Sequence, residues 1–172
     1  WFQGKMEFGP RALGSRSILA DPRDTSMQKK LNLKVKYRES FRPFAPIMLE
    51  EDFNKFYDFP TTKGLNYMTF VSKIKKDYQI HKNNSDENLK NNSEDLLMRL
   101  SDIRSDLPAI THLDYSSRIQ VVNENSKQTI FDLLHSFKKK TGFGVLINTS
   151  FNVRGEPIVN SLEDAYKCFL AT

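Results

Sequence analysis

Between Lys127 and Lys140, apolar residues recur at Ile130, Leu133, Leu134 and Phe137, the i, i+3, i+4 and i+7 spacing of one helix face. Asn125 or Ser126 is placed to cap that helix, Lys138, Lys139 and Lys140 complement its C-terminal dipole, and Gly142 supplies a left-handed exit. Directly beyond, Phe143-Gly144-Val145-Leu146-Ile147-Asn148 reads as a buried strand. A helix with one face to cover, running straight into a buried strand, commits the chain to a core that mixes helix and sheet. At 172 residues and 38% hydrophobic, with 13 Phe, the chain has material for one such core.

Composition then removes whole classes of function. The longest apolar runs, such as Val145-Leu146-Ile147, are far too short to cross a bilayer, and the start lacks the order of a signal peptide. No membrane partner is expected. One cysteine, Cys168, excludes an internal disulfide, and with His81, His112 and His135 scattered there is no metal-ligand spacing. A reducing cytoplasm follows as the expected location, and Cys168 reads as an inert core residue. The net charge of +5 favours anionic partners without separating nucleic acid, nucleotide and phosphorylated metabolite. No Met opens the chain and it stops inside a helical pattern, so it reads as a piece of a larger protein.

Other elements follow from local signals. Asp24 or Thr25 is placed to cap a helix through Asn32, Phe41–Leu49 reads as extended and Pro-bounded, and Glu50–Tyr57 as a short helix with Phe53, Phe56 and Tyr57 on one face. Tyr67–Val71 is a strand candidate, and the segment ending at Val122 alternates as a strand should. Residues from about 73 to 108, rich in Lys, Asn, Ser and acids, are expected to form a polar, mobile surface insertion. A last helix begins at Ser161, with Asp164 completing a capping box and Ala165, Phe169 and Cys168 facing inward.

The candidates for chemistry are cations in turn or extended contexts: Arg11, Arg16, Lys36, Arg38, Arg42, Arg118 and Arg154. A cation beside Gly, Pro or a strand end reaches water less freely than one on a helix face, so a convergent set suggests a pocket for a multiply charged anion. Arg23 and Arg42 read better as surface ion pairs. Ser150 and Asn152, two apart after a buried strand, would project into a crevice at a sheet edge, or else serve only the turn. His112 and Asp114 read as a hydrogen-bonded structural pair ahead of an acid–base pair. Glu7 and Glu156 read as ion-pair partners of nearby arginines ahead of Mg²⁺ or ribose contacts. No nucleophile–base triad can be assembled.

Three blocks carry a resemblance: Glu7–Leu19 (EFGPRALGSRSIL), Lys36–Pro46 (KYRESFRPFAP) and Asn148–Ile158 (NTSFNVRGEPI). Together they resemble the C-terminal domain of NodU/CmcH-type O-carbamoyltransferases, over nearly all of residues 1–172 except the insertion. The resemblance implies a single α/β (α+β) domain similar to the YrdC fold, a twisted mixed sheet with flanking helices around a basic cavity. It also implies use of ATP, with Mg²⁺, and carbamoyl phosphate to make carbamoyl-adenylate. A separate N-terminal actin-like domain, bearing Fe²⁺, would then pass the carbamoyl group to a hydroxyl of a sugar or secondary metabolite.

The Lys-x-Arg and Ser-x-Asn pairs of that fold carry over onto Lys36 and Arg38 and onto Ser150 and Asn152, as catalytic residues. Arg11, Arg16, Lys36, Arg118, Thr149, Ser150 and Asn152 become ATP and phosphate contacts, with His112 as a further contact and no metal ligand. Adenylyl transfer needs positioning and charge neutralisation more than a protein nucleophile, so the missing triad is no objection. Three rivals stay open: a threonylcarbamoyl-adenylate synthase-like domain of tRNA modification, a non-catalytic nucleic-acid-binding module, which lacks its aromatic motif, and a docking domain whose nucleotide holds two domains together. The acceptor and the oligomeric state, including a homodimer, are not legible.

Overall fold

The computed structural model describes residues 1–81, 100 and 102–172. Its centre is a four-stranded sheet of β1 (Ser17–Ala20), β2 (Ala45–Leu49), β5 (Gln120–Val122) and β6 (Val145–Ser150), in the order β1-β6-β2-β5. Strand β6 runs antiparallel to both β1 and β2, whereas β2 and β5 are parallel, so the sheet is mixed. A two-stranded antiparallel ribbon, β3 (Val71–Lys73) with β4 (Ser116–Arg118), stands beside it. The helices are α1 (Met27–Lys34), α2 (Glu50–Phe56), α3 (Gln128–Thr141) and α4 (Leu162–Leu170). This is the α+β architecture expected.

Strand alternation sorts the core into two layers. Met48, Val121, Val145 and Ile147 face a layer built with Leu31, Phe44, Phe53, Phe56 and Tyr57. Ile47, Leu49, Val122 and Leu146 face the other layer, which α3 covers with Ile130 and Leu134. The two helix residues are those the periodicity singled out. Gly142 ends α3 at φ 82°, in the left-handed region where a Cβ is costly. Gly144 answers a different need: a Cβ there would stand 2.6 Å from both Asp52 Oδ2 and Leu49 Cδ1.

Several expectations are corrected. Tyr67–Val71 is not a strand: Gly64 turns left-handed, Leu65–Tyr67 form a 3-10 turn, Met68 also sits at φ 55°, and pairing starts only at Val71. The β-favouring side chains were right in type, but the glycine sets the backbone before they can pair. The strand ending at Val122 is broken in two, because β4 pairs with β3 and β5 with β2. Neither α1 nor α3 carries a side-chain cap: Asp24 instead accepts from Ser26 in a local turn, and Asn123 and Ser126 bond each other ahead of α3. Strand β6 runs on through Ser150, two residues past the predicted end. The capping box of α4 forms as expected, and Ala165 and Cys168 face inward, but Phe169 is 69% exposed. Small residues thus face the body of the protein from α4.

Of the polar insertion, residues 82–99 and 101 lie outside the described residues. Its edges belong to the body: Ile74, Ser105 and Leu107 are buried, and Ile80 donates its N–H to the Arg104 carbonyl at 2.8 Å. The surface character expected for 73–108 therefore does not extend to those flanks. No helix among the described residues is long and apolar enough to cross a membrane.

Candidate functional site

The site forms where strand ends meet. Ala45 opens β2 opposite Asn148 of β6, Ile47 pairs with Gln120, and Ser150 ends β6 opposite Ser17. These pairings bring the end of β6, the start of β2 and the approach to β5 to one edge of the sheet. Residues from all three sequence blocks meet there.

A cleft of about 340 Å³ opens at this edge, lined by Arg38, Arg42, Phe44, His112, Ser116 and Arg118 among others. Arg38 is aimed by its surroundings: its Nε donates to Asn32 Oδ1 at 2.6 Å, and its guanidinium lies 4.8 Å from the Phe44 ring centroid. Asn32 is itself fully buried and donates to the carbonyls of Ser40 and Arg42, so it fixes the turn that carries Arg38. Arg118 enters from the opposite wall, and its Nε is buried without a hydrogen-bond partner among the described residues. Burial pulls both guanidinium pKa values down, helped at Arg38 by the Arg42 charge and at Arg118 by the Arg11 charge. Two desolvated cations, one with an unpaired donor, are destabilising in isolation and favour an anion between them.

Lys36 belongs to a second cluster. Its Nζ donates to the Ser150 carbonyl at 2.5 Å, Asn152 Oδ1 at 2.8 Å, the Asn152 carbonyl at 3.0 Å and Ser150 Oγ at 3.2 Å. Ser150 Oγ in turn donates to Asn152 Oδ1 at 2.6 Å. An ammonium carries three protons, so this oxygen cage occupies it fully. Lys36 and Arg38 flank Tyr37, which takes φ 44°, and Arg154 donates to the Tyr37 carbonyl at 2.8 Å. Burial, and after it the Arg38 charge, lowers the Lys36 pKa to about 8, while the four oxygens favour the charged form.

The remaining candidates divide. Arg16 is only 4% exposed and is not part of the site. It donates to the carbonyls of Gln3, Gly4, Ser15 and Asn160 over 2.9–3.3 Å, five contacts for the five N–H groups of a guanidinium, and stacks on Phe2. Arg11 is exposed at the tip of its loop. Thr149 points to the sheet face opposite Ser150, as strand alternation requires, and so is separated from it. His112 lines the cleft, 3.4 Å from Asp114, whose carboxylate is held mainly by Ser116. Arg23 and Arg42 are ion-paired with Asp21 and Glu39, as expected. Glu7 makes no ion pair among the described residues. It accepts the N–H groups of Leu13 and Ser15 at 2.8 and 2.5 Å. Sequence reasoning missed Asn32, Gln120 and Asn148, whose signal is an amide set directly beside apolar neighbours, Leu31 and Leu33, Ile119 and Val121, and Ile147.

Among the described residues no three His, Cys, Asp or Glu side chains form a metal-binding group. The donor set of the cleft is cationic and suits phosphate oxygens, not Mg²⁺.

The family model for the carbamoyltransferase C-terminus matches residues 1–172, and the chain belongs to that family. An uncharacterised protein, sll1178 of Synechocystis, is 49% identical over the whole chain, which corresponds to 27% of that protein. The nodulation protein NolO of Bradyrhizobium diazoefficiens is 42% identical, again over the whole chain and 27% of its own length. The 3'-hydroxymethylcephem-O-carbamoyltransferase of Amycolatopsis lactamdurans is 33% identical over 95% of the chain and 26% of the enzyme. The chain thus spans about a quarter of the length of these relatives.

Proposed function

We propose that this domain binds ATP and carbamoyl phosphate and forms carbamoyl-adenylate within a longer O-carbamoyltransferase. The observation that carries the reading is the Arg38–Arg118 cleft, two desolvated guanidiniums facing one space with a donor left unpaired. Family membership supports the carbamoyl chemistry, and a relative whose printed name is that of an O-carbamoyltransferase supports transfer to an oxygen.

The reaction balances as follows. Water cleaves carbamoyl phosphate to carbamate and inorganic phosphate; a carbamate oxygen attacks the α-phosphorus of ATP, the bond to the β-phosphate oxygen breaks, and pyrophosphate leaves. Charge grows on the departing pyrophosphate, so cations placed in advance stabilise the transition state without reorganisation. Arg38 and Arg118 fill that role, and Arg11, whose charge acts on Arg118, adds to it. Ser150 and Asn152 orient the carbamate, and Lys36 holds these two in register through its oxygen cage. His112 contributes a further ligand contact. The acyl-adenylate would pass to an acceptor hydroxyl in the remainder of the longer protein, where the N-terminal domain and its iron are expected.

The test is release of pyrophosphate from ATP by the full-length protein. The expected result is release that requires carbamoyl phosphate and is lost in Arg38→Ala and Arg118→Ala. Release that needs threonine and bicarbonate instead, or that survives both substitutions, overturns the proposal.

A further inference from the structure

In the loop from Gly9 to Ser15, several main-chain groups of residues 12–15 are held by side chains that lie outside the loop. Asn148 Nδ2 donates to the Ala12 carbonyl at 3.0 Å and Gln120 Nε2 to the Leu13 carbonyl at 3.0 Å. The two amides are joined, since Asn148 Nδ2 also donates to Gln120 Oε1 at 2.7 Å. Glu7 accepts the N–H groups of Leu13 and Ser15, and Ser17 Oγ accepts that of Gly14 at 3.0 Å. Gly9 and Gly14 take φ 127° and 102°, which glycine adopts without a Cβ penalty but at a larger loss of backbone entropy on ordering, so outside contacts help to hold this shape.

Asn148 and Gln120 are 2% and 3% exposed and sit in β6 and β5, the two strands that flank β2, next to residues that serve the apolar core. Burying two carboxamides in a sheet is unfavourable unless their hydrogen bonds are made, and here they are made to a loop instead of to each other alone. Asn148 Oδ1 is nevertheless left without a partner among the described residues. An apolar side chain at either place would make none of these bonds, so holding the loop is what the amides add. Ala12 is 4% exposed within the clamp, and its neighbour Arg11 projects from it. Gln120, two residues from Arg118, holds the carbonyl of Leu13, two residues from Arg11, so the clamp brings this loop to the segment that carries Arg118, and the Arg11 charge lowers the Arg118 pKa.

We propose that Asn148 and Gln120 are positioning residues of the anion site: by gripping the Ala12 and Leu13 carbonyls they set where Arg11 stands across from Arg118. The proposal rests on the cleft being the anion site. The ligand class is a polyphosphate ester, and Arg11 closes on it from the loop side as Arg118 does from the sheet. A cation fixed in place loses little freedom when the anion arrives, whereas the same cation on a loose loop loses its freedom at the moment of binding.

The experiment uses the full-length protein, with hydrogen exchange at the amides of residues 13–15 and the ATP dissociation constant as paired readouts. Asn148→Leu is expected to speed exchange at those amides, leave exchange along β1 and β6 slow, and weaken ATP binding about tenfold, the scale of one misplaced charge-assisted contact. Gln120→Met, which removes the second grip and the acceptor of one Asn148 hydrogen bond while leaving Asn148 and its grip on Ala12 in place, should do the same to a smaller degree. In an Arg11→Ala background the Asn148→Leu change should weaken ATP binding no further, since both act through one group. The proposal is overturned if loop exchange does not change in either variant, or if the effects of Asn148→Leu and Arg11→Ala multiply. The cleft reading fails separately if Arg118→Met binds ATP as the wild type does, even though loop exchange responds to Asn148→Leu. The Arg11 assignment is then overturned with it.

Discussion

Arg16 and Arg118 look alike in the sequence, each an arginine beside serines at the end of a strand, and the molecule treats them in opposite ways. Arg16 is buried with every guanidinium N–H on a main-chain carbonyl, so it ties residues 3, 4 and 15 to Asn160 across the chain. Arg118 is half-buried with Nε unpaired, facing a space that other cations share. Both are desolvated, yet only one is satisfied. On the proposed reading of the cleft, what separates the structural cation from the ligand-binding one is its unused donor together with its lesser depth.

Breaking Arg16 should have the largest effect. Arg16→Met strands four carbonyls, and the expected loss is about 3–5 kcal/mol of stability, in line with removal of one partner from a buried charged network. Denaturant unfolding measures it. A loss below about 1 kcal/mol, the size of an ordinary hydrogen bond, would show that the carbonyl cage is solvated and the contrast false.

Arg118→Met tests the other side. Removing an unpaired buried cation should leave stability unchanged or higher, while ATP affinity falls about 100-fold through loss of a desolvated phosphate contact. Calorimetry and unfolding on the same variant separate the two. A drop in stability with ATP binding intact would make Arg118 a second Arg16.

The contrast explains how much was legible beforehand. Helix α3, its Gly142 exit and strand β6 were readable because their signals are local and periodic: Ile130 and Leu134 face the core as their spacing demands. Tyr67–Val71 and Phe169 were misread because a left-handed Gly64 and the small packing face of α4 override side-chain preference. At the site, residue types marked the cations but not their partners. Lys36 meets Ser150 and Asn152 across 114 and 116 residues, and Arg16 meets Asn160 across 144. No local pattern carries such pairings. Asn148 and Gln120 escaped notice for the same reason, their partners being main-chain carbonyls more than 100 residues away.

Lys36 lies between the two extremes, since it is fully occupied yet occupied by the site itself. With its pKa near 8, Lys36 is an ammonium at neutral pH and loses its proton as pH rises through that value, whereupon the grip on Ser150 and Asn152 weakens. Adenylate formation should therefore fall on the alkaline side with a midpoint near 8, by about tenfold at the plateau, the effect expected of a lost charge-assisted hydrogen bond. Lys36→Arg, which stays charged, should move that limb to higher pH even if its overall rate is lower. An unchanged limb in Lys36→Arg would assign the titration to another group.

Arg42 makes the sharpest control because it lines the same cleft and carries the same charge as Arg118. It differs in being 54% exposed at its side chain and paired with Glu39 at 2.8 Å. An exposed pair contributes little, so Arg42→Ala should change stability by less than about 0.5 kcal/mol. Its charge is already balanced and hydrated, so ATP affinity should fall by no more than about threefold, and that remnant should fade as salt rises. If Arg42→Ala matched Arg118→Met in its effect on ATP, nearness to the cleft would govern binding and the unpaired donor would not. If it falls short by the expected margin, two cations in one cleft differ in exposure and in whether a partner is already present, and those differences set which of them an anion recognises.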